Sequence, residues 1–300
     1  FIYIQIFTYL ISVTLCLFLL SKCGIHISIK FDLSFSIIYL KSCIPFATLI
    51  FITAAVLRID HVLIERLLPN GQYYAGQYAV GYRFIDASNM LGYIFGGLLY
   101  PMFSNQIVEK KNVLDLFSFG FKFLFFISLI LLSCVLFYLQ PILKLLYNDD
   151  LTMGNEAIFY QTISIFPLVL INVFGAFILA NKLTKEFNVV YLFALCFIII
   201  SNILFINIYS IKASAIIFTV GQYIILFGSL YILVKNKKIN FKNLLPTHSI
   251  LIGFMVFFCF YSIYKFMIMG WIFKILLSVS LSLLAVFVSR YIKMSELKNI

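Results

Sequence analysis

The sequence predicts an all-α polytopic membrane protein of about nine transmembrane helices. Three observations lead there. The first is composition: 63% of the 300 residues are hydrophobic, 11% are charged, and the mean hydropathy is +1.08. A soluble domain carries about 25% charged residues, so this chain lacks a polar shell for water and must turn its surplus apolar surface to lipid. The second is a series of apolar stretches near the ~20 residues that cross a hydrocarbon core. The third is the segregation of Lys and Arg into alternate connecting loops.

In chain order the stretches are roughly 1–20, 37–67, 74–104, 114–140, 157–180, 187–208, 213–234, 249–268 and 271–292. The first, "FIYIQIFTYLISVTLCLFLL", has no charged segment before it and no A-x-A-like site after it, so it reads as a span and not as a signal peptide. Several of the others exceed the minimum, which permits tilt. One alternate set of loops holds Lys22, Lys30, Lys110, Lys111, Lys182, Lys185, Lys235, Lys237, Lys238, Lys242, Arg290, Lys293 and Lys298. The other holds Arg66, Lys144, Lys212, Lys265 and Lys274. Thirteen against five places the first set, and the C-terminus, in the cytoplasm. Nine spans would then put Phe1 outside; an odd number of helices upstream of it would resolve this, so the sequence is expected to be part of a larger bundle.

The net charge of +11 follows from this loop bias, and no nucleic-acid partner is expected. The six cysteines form no C-x-x-C pair, and His26, His61 and His248 are scattered. Neither a disulfide framework, a zinc site nor a cofactor is predicted. The outer loops are short, so the activity is expected within the membrane.

Charge inside the spans carries the functional reading. A charge at the bilayer centre costs about 2.5–3.5 kcal/mol on insertion scales and is usually paired, facing a bundle interior or a wet cavity. Spans two and three carry Arg58, Asp60, His61, Arg83 and Asp86. A short turn near residue 70 makes these spans antiparallel, so Arg58 with Asp86, and Asp60 with Arg83, fall within about one turn of level. Arg83 and Asp86, three residues apart, could also neutralise each other on one face. Arg58 and Asp60 are about 200° apart on their helix and cannot both face one cavity squarely. Gly92-x-x-x-Gly96 permits close helix contact, and Pro45, Pro101, Pro141 and Pro167 mark places for bending.

Three segments resemble one family. Residues 73–105, "YYAGQYAVGYRFIDASNMLGYIFGGLLYPMFSN", preceded by "RIDHVLIERLL", resemble the eighth and seventh helices of polysaccharide flippases of the multidrug/oligosaccharidyl-lipid/polysaccharide exporter superfamily. "ILANKLTKEF" resembles the end of the tenth helix, and "YSIKASAIIFTVGQ" the start of the twelfth, with Ser210 and Ala213 in place of glycines and Gln222 in place of an acid. Order, spacing and sidedness carry the likeness more than any single motif.

The resemblance implies a domain plan and a function. Residues 1–30 would be the last helix of an N-terminal lobe with its linker. Residues 31–236 would form the six-helix second lobe of a two-lobe exporter fold, and 237–300 a basic linker with two additional helices and a cytoplasmic tail. The protein would lie in the bacterial cytoplasmic (inner) membrane and be a transporter, not an enzyme. It would move an undecaprenyl-diphosphate-linked oligosaccharide from the inner to the outer leaflet by alternating access. Arg83 and Arg58 would bind the diphosphate, while Asp86 and Asp60 would pair with the arginines or bind a coupling cation, a proton or sodium. Two alternatives stand beside this: a cation-coupled multidrug antiporter of the same superfamily, and a membrane-embedded polysaccharide-processing enzyme with Asp60–His61 as its candidate acid and base.

Overall fold

A computed structural model describes residues 2–22, 32–147, 154–239, 247–267 and 270–288. Lys30, Lys242, Arg290, Lys293, Lys298, Cys23 and His26 lie outside the described residues. The described chain is helical: α1 (Ile2–Lys22), α2 (Leu33–Leu67), α3 (Gly71–Val108), α4 (Val113–Tyr147), α5 (Gly154–Ile163), α6 (Ile165–Ala180), α7 (Thr184–Lys235), α8 (Thr247–Phe266) and α9 (Trp271–Val288). Five stretches are long and apolar enough to cross a membrane: α1, α2, α4, Gly154–Ala180 and α7. The chain is a polytopic membrane protein. Crossing by α3, whose Gln, Asn, Arg and Asp residues keep it out of that group, and by the shorter α8 and α9 remains an expectation from sequence.

The chain divides into two compact units, Phe1–Ile44 and Pro45–Ile300. In the first, α1 exposes apolar side chains along its whole length. The start of α2 is fixed by Asp32, whose Oδ1 accepts the backbone N–H groups of Ser34 and Phe35, satisfying donors that a helix start leaves orphaned.

The second unit is built around α6. Its sequence, "IFPLVLINVFGAFILA", is apolar on every side, the pattern of a helix enclosed by others, and twelve of its residues are buried. Helices α3, α4 and α7 pack against it. Lipid tails are as apolar as these side chains, so fit and not water exclusion holds the bundle together. Phe103 and Phe117 meet Phe177 with ring centroids 5.1 and 4.7 Å apart, and Phe121 meets Phe174 at 5.8 Å. On α3, a Cβ at Gly92 would stand 3.0 Å from the Val169 carbonyl oxygen, and one at Gly96 3.0 Å from that of Asn172. The expected close contact is therefore backbone against backbone with α6, while Gly97 faces open space. A smaller core joins α8 to α4 through Phe126, Tyr138, Ile252, Val256 and Phe260, with Trp271, Ile275 and Val279 of α9 packed against it.

One span differs from the sequence expectation. Residues 157–180 were expected as one helix, but a turn at Ser164 separates α5 from α6. Pro167 accounts for it: lacking an N–H, it cannot bond to the carbonyl four residues back, and it sits comfortably in the first turn of the new helix. The turn expected near residue 210 is present within Thr184–Lys235, where Ser210 has φ 53° and ψ −147°. There the chain doubles back. Ser214 reaches Asn202, Gly221 abuts Ile198, and Gly228 abuts Val190, so 184–209 and 211–235 are antiparallel arms of a hairpin. Pro141 has a milder effect, with the non-helical residue Tyr138 one turn before it in α4.

Candidate functional site

Two polar groupings form where α2, α3 and the α7 hairpin meet. The first is closed. The Asp60 side chain is 0% exposed. Its Oδ2 accepts the hydroxyls of Tyr78 at 3.1 Å and Tyr82 at 3.4 Å, and its Oδ1 accepts Asn202 Nδ2 at 3.1 Å. Tyr78 and Tyr82 are one turn apart, so one face of α3 presents both hydroxyls to α2. Asn202 lies on the first arm of the hairpin, also donates to the Ile198 carbonyl at 2.9 Å, and accepts the Ser214 hydroxyl from the second arm at 2.6 Å. The chain is thus Ser214 to Asn202 to Asp60, closed by two tyrosines. His61 packs edge-on against Tyr78 and Tyr82 at 5.3 and 4.4 Å, and its Nδ1 is buried without a partner. Every donor to Asp60 is neutral. Burying a carboxylate with neutral partners alone is costly, and the network supplies no charged partner.

The second grouping is open. Arg58 Nη2 donates to Asp86 Oδ2 at 2.9 Å, with the two side chains 56% and 52% exposed. The Arg58 guanidinium also lies over the Tyr82 ring, 5.4 Å from its centroid. Arg83 is exposed as well, donates to the Tyr147 hydroxyl at the end of α4, and lies 5.5 Å from that ring's centroid. Both guanidinium groups are therefore held in place while their remaining N–H donors stay accessible, an arrangement that suits a bidentate anion.

Of the expected pairings, the arrangement keeps Arg58 with Asp86 over Arg83 with Asp86, and corrects Asp60 with Arg83. Asp86 pairs with Arg58 from α2 and not with Arg83 on its own helix. Asp60 faces Tyr78, Tyr82 and Asn202 in place of Arg83, because the 200° between residues 58 and 60 turns Asp60 inward when Arg58 faces out. Asp60 and His61 make no hydrogen bond to each other: their rings and oxygens meet the same tyrosines from adjacent positions. The sequence reading did not single out Tyr78, Tyr82, Ser214 or Tyr147. The i, i+4 spacing of the two tyrosines opposite a buried acid was the available signal.

No family model matches the chain, and no curated protein matches it. Among solved structures, the chain is similar to the lipid II flippase MurJ in an inward closed conformation, with 18% sequence identity and a TM-score of 0.67. The match covers 94% of this chain and 61% of that one, so the chain spans about three fifths of the length of the protein it resembles. At this identity the likeness is one of fold alone.

Proposed function

We propose that the protein acts in moving an undecaprenyl-diphosphate-linked oligosaccharide across the membrane by alternating access, with Arg58 and Arg83 as the diphosphate contacts. The observation that carries this reading is the pair of exposed, held guanidinium groups on α2 and α3, in a chain whose fold is like that of MurJ. A diphosphate leaving water needs fixed positive charge to replace its hydration, and arginine supplies it in a bidentate fork. Asp86 orients Arg58 from α3, and Tyr147 orients Arg83 without neutralising it. Asp60 serves as the coupling site, taking a proton or sodium. Its enclosure by Tyr78, Tyr82 and Asn202 supports a small ion.

The antiporter reading has one observation in its favour: an acid faces the interior while the arginines face out. Because Asp60 is wholly enclosed, it offers no surface to a drug-sized cation, and the flippase reading is preferred. The test is a flipping assay in membranes containing the protein, following a labelled polyprenyl-diphosphate oligosaccharide to the outer leaflet. Arg83→Ala should slow translocation by about tenfold, the loss of one charge-assisted contact, with Arg83→Lys intermediate. Unaltered flipping by Arg83→Ala would remove this residue from the mechanism.

A further inference from the structure

An apolar groove of about 470 Å³ runs along the α7 hairpin, lined by Phe197, Phe205, Tyr209, Ile216 and Val220, with Lys212 toward the hairpin tip. Phe205 is 46% exposed and Tyr209 61% exposed, so the groove is open to its surroundings. On the other side of Lys212 lies a second, more polar hollow of about 400 Å³, lined by Gln140, Asn155, Glu156 and Tyr160 among others. Lys212 thus lines both an oily groove and a hollow of mixed character. Its Nζ meets Glu156 Oε2 at 2.8 Å and lies 5.6 Å from the Tyr160 ring centroid, and the two charged side chains are 43% and 71% exposed. The Asn155 Oδ1 beside them is buried without a partner.

Length identifies what fits. Lys212 to Val220 is eight residues and Tyr209 to Phe197 twelve, which at a rise of 1.5 Å per residue extends about 12–18 Å from the hairpin tip. Half of a ~30 Å hydrocarbon core is about 15 Å. The groove is one leaflet deep, with its charged mouth at the depth of the headgroups. Charge identifies the head. A purely anionic headgroup would meet Glu156 as well as Lys212. A zwitterionic one has an anion and a cation side by side, as the mouth does, with opposite signs facing.

We infer that the α7 hairpin binds one zwitterionic phospholipid of the surrounding bilayer. An acyl chain lies in the groove, the phosphate on Lys212 and the ammonium on Glu156. The occupant inserts between the two members of an exposed ion pair, a contact that water and salt weaken, and exchanges it for two charge-assisted contacts at the membrane edge. The site is independent of the arginines assigned to transport, and its test does not involve flipping.

The test is native mass spectrometry of the whole purified chain in detergent, titrated with phosphatidylethanolamine or phosphatidylglycerol. The expected result is one phosphatidylethanolamine retained in preference to phosphatidylglycerol. Lys212→Glu should weaken that retention about tenfold, and Glu156→Gln should abolish the preference between the two lipids. Val220→Trp, which fills the groove without touching a charge, should also displace the lipid, and it keeps the proposal testable if the Lys212 variant fails to fold. Equal retention of both lipids by the unaltered chain, or phosphatidylethanolamine retention that survives both Lys212→Glu and Val220→Trp, would overturn the proposal in favour of an ordinary lipid annulus. A stable dimer that Val220→Trp dissociates would overturn it in favour of a second copy covering the groove.

Discussion

Replacing Asp60 tests the closed network most directly. In Asp60→Ala, Tyr78 and Tyr82, which are 0% and 2% exposed, lose the acceptor for their hydroxyls, whereas Asn202 Nδ2 keeps its bond to the Ile198 carbonyl. Two buried hydroxyls are orphaned at about 1–3 kcal/mol each. Side-chain bonds within membranes have averaged nearer 0.6 kcal/mol, which brings the expected loss to about 2–3 kcal/mol. Asp60→Asn retains one carbonyl oxygen for the tyrosines but turns an amide N–H toward Asn202 Nδ2, so a loss of about 1 kcal/mol is expected. The decisive comparison is Tyr78→Phe. In the native background it breaks a bond and destabilises. In the Asp60→Ala background it removes an orphan and should restore about 1 kcal/mol, because deleting both partners is milder than deleting one. Equilibrium unfolding of the four proteins in mixed detergent micelles gives the cycle. Strict additivity, or a further loss on adding Tyr78→Phe to Asp60→Ala, would show that the carboxyl and the tyrosine do not meet as described.

Backbone geometry yields two further expectations. Ser210→Gly should stabilise the protein by about 1 kcal/mol, since φ 53° with ψ −147° strains an L-residue and suits glycine; a lowered unfolding midpoint would refute the hairpin geometry. Gly96→Ala should destabilise by about 1–3 kcal/mol, as its Cβ would press on the Asn172 carbonyl. Gly97→Ala, with nothing within 4 Å, should be neutral or gain up to about 1 kcal/mol of helix propensity; equal effects at the two positions would place the α3–α6 contact elsewhere.

Helix positions were legible because apolar length and loop charge report on lipid, the largest single influence on this chain. The Arg58–Asp86 pair was legible too. Two helices joined by the short turn at 68–70 are antiparallel, and comparable distances from that turn bring the two residues near enough in depth for long side chains to meet. The partners of Asp60 were only half accessible: Tyr78 and Tyr82 lie on the adjoining helix, but Asn202 is 142 residues away. Tyr147, which meets Arg83 from a distance of 64 residues, was equally hidden. Sequence spacing constrains neighbours on one hairpin and is silent on which hairpins dock. The Ser164 break was available from Pro167, but a proline within an apolar run does not declare whether it kinks a helix or ends one.

Tyr82 joins the two groupings. Its hydroxyl reaches Asp60 in the interior, while its ring supports the Arg58 guanidinium on the exposed face. The 200° that separates residues 58 and 60 sends one side chain out and the other in, so something must connect them if a small ion at the acid is to influence a guanidinium at the surface. The ring and the hydroxyl can be removed separately. Tyr82→Phe keeps the ring under Arg58 and drops the bond to Asp60; Tyr82→Leu loses both. If the tyrosine couples ion to substrate, Tyr82→Phe should flatten the dependence of flipping on proton or sodium concentration yet preserve most of the rate at the favourable extreme. Tyr82→Leu should lower the rate at every concentration. Identical profiles for the two variants would mean that Tyr82 is only a packing residue between two unconnected sites.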